Sequence, residues 1–162
     1  MSIMLSSAEI FGLAKEIENS GQAYYQAVAS STGSQDLREL FEHLAGEEVR
    51  HYHYFDKLSR EYPELEVDEQ EWEQTRAYIQ ATSDSRFFIG EDKALSLAKT
   101  VKKPLQAIDI AIGFEKDTLL FFYELLNVTP PKARDAAKAI LEEEKRHVQL
   151  LSDRRKRFVA GS

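Results

Sequence analysis

Four stretches of the chain carry apolar residues at alternating steps of three and four, the spacing of one face of an α-helix. In the first, the stripe is Phe11, Ala14, Glu18, Gly21, Tyr25 and Val28. Ser6 or Ser7 caps this helix, Glu9 lies in its first turn, and the run from Ser30 to Gly33 ends it. The second starts at Ser34 or Gln35 and carries Leu37, Phe41, Leu44, Glu48, His51, Phe55 and Leu58. Pro63 stops it, because the residue before a proline disfavours helix. The third opens at Pro104, carries Ile108, Ala111, Glu115, Thr118, Phe122 and Leu125, and ends between Asn127 and Pro130. The fourth opens at Pro131 and carries Ala133, Ala137, Ile140, Glu144, His147 and Leu151. It runs into Arg154, Arg155, Lys156 and Arg157, a charge that suits a helix C-terminus and is too short to mark a nucleic-acid site.

The short links inside each pair make the paired helices antiparallel neighbours. Residues 62–103 between the pairs read as a long crossover. It holds a short helix from Asp68 to Tyr78, an interruption at Ser83, Asp84, Ser85 and Gly90, and a second helix from Glu91 to Thr100. Its aromatic residues Trp72, Phe87 and Phe88 are expected to pack at a bundle end or a subunit interface. The predicted architecture is all-α: a single domain over 1–162, built as a four-helix bundle with a long crossover between its second and third helices. The halves repeat. Adding 97 to the first stripe gives the third, and adding 96 to the second gives the fourth.

Four of the stripe positions hold glutamate, in rows that are otherwise apolar or small. Glu18 maps onto Glu115, and Glu48-x-x-His51 maps onto Glu144-x-x-His147. A Glu and a His three apart on a helix put a hard oxygen and an imidazole nitrogen on one face. One such pair arises easily by chance; two in equivalent settings, each with a further Glu upstream, point to metal. Four carboxylates in a bundle core need counter-charge, and two divalent cations would supply it. Oxygen-rich ligation with one imidazole per ion suits iron or manganese better than zinc. In the expected dinuclear arrangement Glu18 and Glu115 are terminal, Glu48 and Glu144 bridge, and His51 and His147 complete one ion each. Tyr25, one heptad after Glu18, either packs or donates a hydrogen bond to a ligand carboxylate, while its counterpart Phe122 has no hydroxyl. Glu16, Glu47, Glu142 and Glu143 read as solvated, His43 and His53 as surface residues, and Arg50 and Arg146 as ion-pair partners of nearby glutamates.

Composition narrows the picture further. A chain 43% apolar and 30% charged, with only 7 Gly and 4 Pro, is helical rather than disordered or all-β. A net charge of −7 argues against nucleic acid as partner, although four of its acids would lie on metal. The absence of cysteine excludes disulfides and thiolate chemistry. Met1 to Ser7 lacks a signal-peptide pattern, and no run approaches the ~20 apolar residues that span a bilayer, so a cytoplasmic location is expected.

Glu18-x-x-Gly21 followed by Tyr24-Tyr25, Glu48-x-Arg50-His51, Phe114-Glu115-Lys116-Asp117 followed by Phe121-Phe122, and Glu144-x-Arg146-His147 resemble the motifs of the ferritin-like di-iron carboxylate superfamily. Within it they are most similar to rubrerythrin-like proteins, over nearly the whole chain. The resemblance implies a di-iron centre that reacts with hydrogen peroxide or dioxygen while iron cycles between ferrous and ferric. Longer rubrerythrins also carry a cysteine-ligated rubredoxin site that feeds in electrons, and an extra carboxylate one turn after the third-helix Glu that exchanges with a histidine in their peroxidase mechanism. This chain has no cysteine, and the second position is Thr118. The expected function is therefore a di-iron oxidoreductase lacking the rubredoxin domain, served by a separate electron donor and assembled as a homodimer. Ferroxidase or iron-storage activity, manganese catalase chemistry on the same ligands, and a non-catalytic metal-binding bundle are the alternatives.

Overall fold

The computed structural model describes residues 1–83 and 89–161. Its elements in chain order are β1 (Ser2–Ser6), α1 (Ser7–Ser31), α2 (Gln35–Glu61), β2 (Glu64–Asp68), α3 (Glu69–Ser83), α4 (Glu91–Lys99), α5 (Pro104–Asn127) and α6 (Pro131–Ala160). The four long helices are those expected, with their predicted starts. The Ser6 side chain accepts from the Ala8 N–H and the Ser34 side chain from the Leu37 N–H, so each cap satisfies one of the donors a helix start leaves open. Pro104 and Pro131 sit in the first turns of α5 and α6, where a missing N–H does no harm.

Every residue of the four stripes is buried, so the repeat in the sequence is the lining of one bundle core. α1 packs along α2 and α5 along α6 as two hairpins, and these meet through α2 against α6 and α1 against α5. Two tyrosines tie the hairpins together through backbone carbonyls. Tyr24 Oη donates to Ala107 O at 2.8 Å, and Tyr54 Oη to Ala136 O at 2.6 Å. The basic end of α6 is engaged by acids of the bundle: Arg155 lies 2.6 Å from Asp109, and Arg154 pairs with Asp36.

The crossover differs from the sequence expectation in a strand and in the length of its first helix. Residues Glu64–Asp68 form a strand that pairs antiparallel with β1, from Ser2 opposite Asp68 to Ser6 opposite Glu64. Leu65 and Val67 are buried, while Glu64 and Glu66 face out, the period-2 alternation of a half-buried strand. Ser7 closes the join, with its N–H donating to Pro63 O at 3.0 Å and its hydroxyl to Ser59 O at 2.9 Å. α3 starts at Glu69 and runs to Ser83, longer than predicted, and buries Trp72, Thr75 and Ile79. Its Tyr78 ring lies 6.3 Å from that of Phe121 on α5. α4 lies along α1, burying Ala94 and Ala98, and the Gly90 N–H at its start donates to Ser20 Oγ at 2.7 Å. The predicted break at Asp84 and Ser85 and the packing of Phe87 and Phe88 fall outside the described residues. Among the described residues, no helix is long and apolar enough to cross a membrane.

Candidate metal centre

The bundle brings all six stripe residues with metal-ligand chemistry to one place. Their ligand atoms fall into two groups, each within 4.8 Å: Glu18, Glu48, His51 and Glu144, and Glu48, Glu115, Glu144 and His147. Glu48 and Glu144 belong to both groups; Glu18 with His51, and Glu115 with His147, belong to one each. The four glutamates and His51 are at most 1% exposed, and His147 is 4% exposed. The two imidazoles stack with centroids 5.4 Å apart. His51 Nδ1 lies 2.7 Å from Glu144 Oε1 and 3.6 Å from Glu18 Oε2. His147 Nδ1 lies 3.1 Å from Glu144, 3.4 Å from Glu115 and 3.6 Å from Glu48. Each Nδ1 thus faces inward, His51 onto carboxylates from two helices and His147 onto carboxylates from three.

Most of these buried atoms have no protein partner. Both oxygens of Glu18 and Glu48, Oε2 of Glu115 and Glu144, and both ring nitrogens of His147 lack a hydrogen bond among the described residues. A bundle core ordinarily satisfies its polar groups, because an unpaired one costs about 1–3 kcal/mol. Orphaned oxygens and imidazole nitrogens gathered in two overlapping groups fit a pair of divalent cations: the donors are hard oxygens with one borderline nitrogen per group.

A family model for rubrerythrin matches residues 9–154. The chain belongs to the rubrerythrin family. A crystal structure described as that of a ferritin-like diiron-carboxylate protein from Thermotoga maritima superposes with a TM-score of 0.67 at 22% sequence identity, covering 94% of this chain and 95% of that one. It supports the ferritin-like bundle fold. No curated protein matches this chain.

This rubrerythrin-family site is not symmetric, although the repeat that builds it is. Tyr25 Oη on α1 donates a short hydrogen bond to Glu115 Oε1 on α5. The counterpart ring, Phe122, instead packs edge-on against Phe55, with centroids 5.2 Å apart, and Glu18 receives no such donor. The repeat also breaks between Gly21 and its counterpart Thr118. A Cβ at Gly21 would sit 2.9 Å from Phe114 Cε1 and 3.1 Å from Glu48 Oε2, so Glu48 occupies the space a side chain there would need. Gly21→Ala is expected to destabilise by about 1–3 kcal/mol through overpacking, read as a lower denaturant midpoint at unchanged slope. Thr118 is buried, and its hydroxyl has no hydrogen-bond partner among the described residues.

Two acids expected to be solvated turn out to line the site. Glu143 Oε2 is 2.8 Å from His51 Nε2, and Glu47 Oε2 is 4.0 Å from His147 Nε2. Each therefore lies outside the imidazole of the opposite hairpin. Arg50 bridges them, with Nη2 at 2.8 Å from Glu143 Oε2 and in contact with Glu47. Both precede a bridging-type glutamate by one residue, about 100° round the helix from the buried stripe, so only the packing of α2 on α6 brings them to the site. His43 and His53 are exposed, as the pattern predicted.

The site's electrostatics follow from burial. Burial pushes the carboxyls of Glu18, Glu48 and Glu115 well above the usual range, and neighbouring carboxylates push the same way. Burial acts likewise on Glu144, but the imidazoles of His147 and His51 outweigh it and hold Glu144 below that range. Burial alone would lower both histidines; the surrounding carboxylates outweigh it and raise them. Without metal, protons therefore balance the site's charge. Each incoming cation must displace them, so loading releases protons and apparent metal affinity rises with pH. A weakly buffered titration with a pH indicator reads this release directly; loading without acidification would contradict it.

Proposed function

We propose that this chain is a di-iron oxidoreductase that reduces hydrogen peroxide or dioxygen with electrons from a separate donor. The observation that carries the reading is the pair of buried ligand groups sharing Glu48 and Glu144, with orphaned oxygens and nitrogens. Two bound iron ions would supply two electrons to the oxidant. The chain sets the conditions for that chemistry. Glu48 and Glu144 would hold the ions as one pair, Glu18 and His51 would complete one, and Glu115 and His147 the other. Tyr25 fixes the orientation of Glu115 through its hydroxyl. Thr118 places a neutral hydroxyl one helical turn from Glu115, where a longer rubrerythrin has an ionisable carboxylate. One turn beyond His51, the Phe55 ring packs against Phe122, one turn beyond Thr118, and against Phe11, two turns before Glu18, and these rings keep water from that end of the site. None of the 162 residues is a cysteine, so a rubredoxin-type iron within this stretch would have no thiolate ligands, and electrons would reach the centre from outside it.

The test is metal content of protein purified without chelator, read with its absorption spectrum. Two irons per chain, with near-ultraviolet absorption that bleaches on reduction and returns with peroxide or dioxygen, is the expected result. Two manganese ions and oxygen evolution from peroxide would redirect the reading to catalase chemistry. No metal, and none taken up from anaerobic ferrous iron, would sink it.

A further inference from the structure

The rim of the site holds a third cluster, which shares both histidines with the buried centre through their outward nitrogens. Glu47, His51 and His147 present ligand atoms within 4.8 Å of one another, and Glu143 Oε2 joins them at 2.8 Å from His51 Nε2. The outward nitrogen of each histidine thus faces one carboxylate, His51 that of Glu143 and His147 that of Glu47. Among the described residues His147 Nε2 has no hydrogen-bond partner; its side chain is 5% exposed, and it faces Glu47 Oε2 at 4.0 Å. It is an almost fully buried nitrogen aimed at the Glu47 carboxylate and beyond hydrogen-bond reach of it.

The same cluster is where the centre comes closest to water. The four buried glutamates and His51 are sealed, whereas Glu143 and Glu47 have side chains 21% and 24% exposed. Aromatic rings pack on either side along the bundle axis, Phe11, Phe55 and Phe122 at one end and Tyr24, Tyr25 and Phe41 at the other. A cation already occupies the rim: Arg50 lays its guanidinium between Glu47 and Glu143, on a side chain 55% exposed and so free to swing into solvent.

We propose that Glu47 and Glu143, with the outward nitrogens of His51 and His147, form a transit site that captures divalent cations and passes them to the buried centre. The proposal rests on the reading that the six buried residues hold two metal ions. A neutral imidazole has one lone pair to offer, through either Nδ1 or Nε2. Two carboxylates with an imidazole nitrogen suit a borderline divalent ion. Once each Nδ1 binds an inner ion, the proton resides on Nε2, which then donates to Glu47 or Glu143 and can no longer bind a cation. The outer site therefore empties as the inner one fills. Arg50 competes for it throughout, giving way to an arriving ion and reclosing the acidic pair afterwards.

The test is stopped-flow uptake of cobalt(II) alone by the metal-free full chain, followed by its visible absorption without oxygen. Wild type is expected to bind two ions per chain, more slowly as salt is added. The double variant E47Q/E143Q is expected to bind the same two ions at an initial rate lower by about tenfold or more, with most of the salt dependence gone. R50Q, which frees both carboxylates, is expected to load faster than wild type. E142Q, on the same helix but paired with Lys145 at the surface, is expected to load as wild type does. Wild-type rates in the double variant would overturn the proposal. So would a loss confined to the dissociation rate, which would mark Glu47 and Glu143 as positioning residues for the imidazoles alone. Failure of the wild type to bind two cobalt ions would instead overturn the buried-centre reading, and this proposal with it.

Discussion

Stripping the metal from the loaded protein lowers its Tm by roughly 10–20 °C. The estimate follows from linkage. A ligand that binds only the folded state stabilises it by about 2.7 kcal/mol per site at a free concentration a hundred times Kd, and two sites double this. A domain of this size moves about 2–4 °C for each kcal/mol. The structural reason is the composition of the core. Glu18, Glu48, Glu115 and Glu144 meet in the middle of a bundle whose other stripe residues are mainly apolar, small or aromatic, and most of their oxygens have no protein partner. The unfolded chain scatters these ligands over 130 residues, from Glu18 to His147, and cannot reproduce the site. Metal binding is therefore coupled to folding, and removing metal leaves a core that must hold protons instead. Differential scanning calorimetry before and after chelation, with readdition of iron, gives the result. A chelated protein that melts together with the loaded one would mean that the six residues hold nothing.

What the sequence could convey of this architecture depended on how local each signal was. The helices were legible because their instructions are short-range: serine caps at Ser6 and Ser34, prolines at helix starts, and a three-four stripe of buried residues. The convergence of the six ligand-type residues was legible for a different reason. Duplication placed the same pattern in two hairpins, so the odd polar positions announced themselves by agreeing with each other. The β1–β2 ribbon was not legible, because it joins residues about sixty apart and its two strands are five residues long. Glu-Leu-Glu-Val-Asp at 64–68 does alternate strictly, but nothing near it names its partner. Glu47 and Glu143 escaped for a related reason. One position off a buried stripe, a glutamate looks solvated, and only the crossing of α2 over α6 brings each against the other hairpin's histidine. Tyr25 stood open between packing and hydrogen bonding until the placement of α5 supplied Glu115 as acceptor.

Glu18→Met is expected to act with opposite sign in the empty and the loaded protein. In the metal-free state, Glu18 is a buried acid with neither oxygen hydrogen-bonded among the described residues, its carboxyl pushed up by burial and by the charge of Glu144. Replacing it with an apolar side chain of similar length removes that burden and leaves a packed core, worth about 1–3 kcal/mol in favour of folding. The Tm of the metal-free variant should therefore rise by roughly 3–10 °C. In the loaded state the same change removes a ligand that only one of the two groups possesses, so metal content falls from two ions per chain toward one and the Tm falls below that of the loaded wild type. Glu115→Met provides the internal control. It removes the equivalent ligand of the other group but also takes the acceptor from Tyr25 Oη, leaving a buried hydroxyl unsatisfied. Its metal-free gain should be smaller or absent, although its loss of metal matches that of Glu18→Met. Paired melting curves, with and without iron, separate the two effects. Equal destabilisation of the metal-free protein by both substitutions would show that these carboxyls hold the bundle together themselves. Opposite signs would show a core kept less stable than its packing allows, because the ligands it carries are there for the metal.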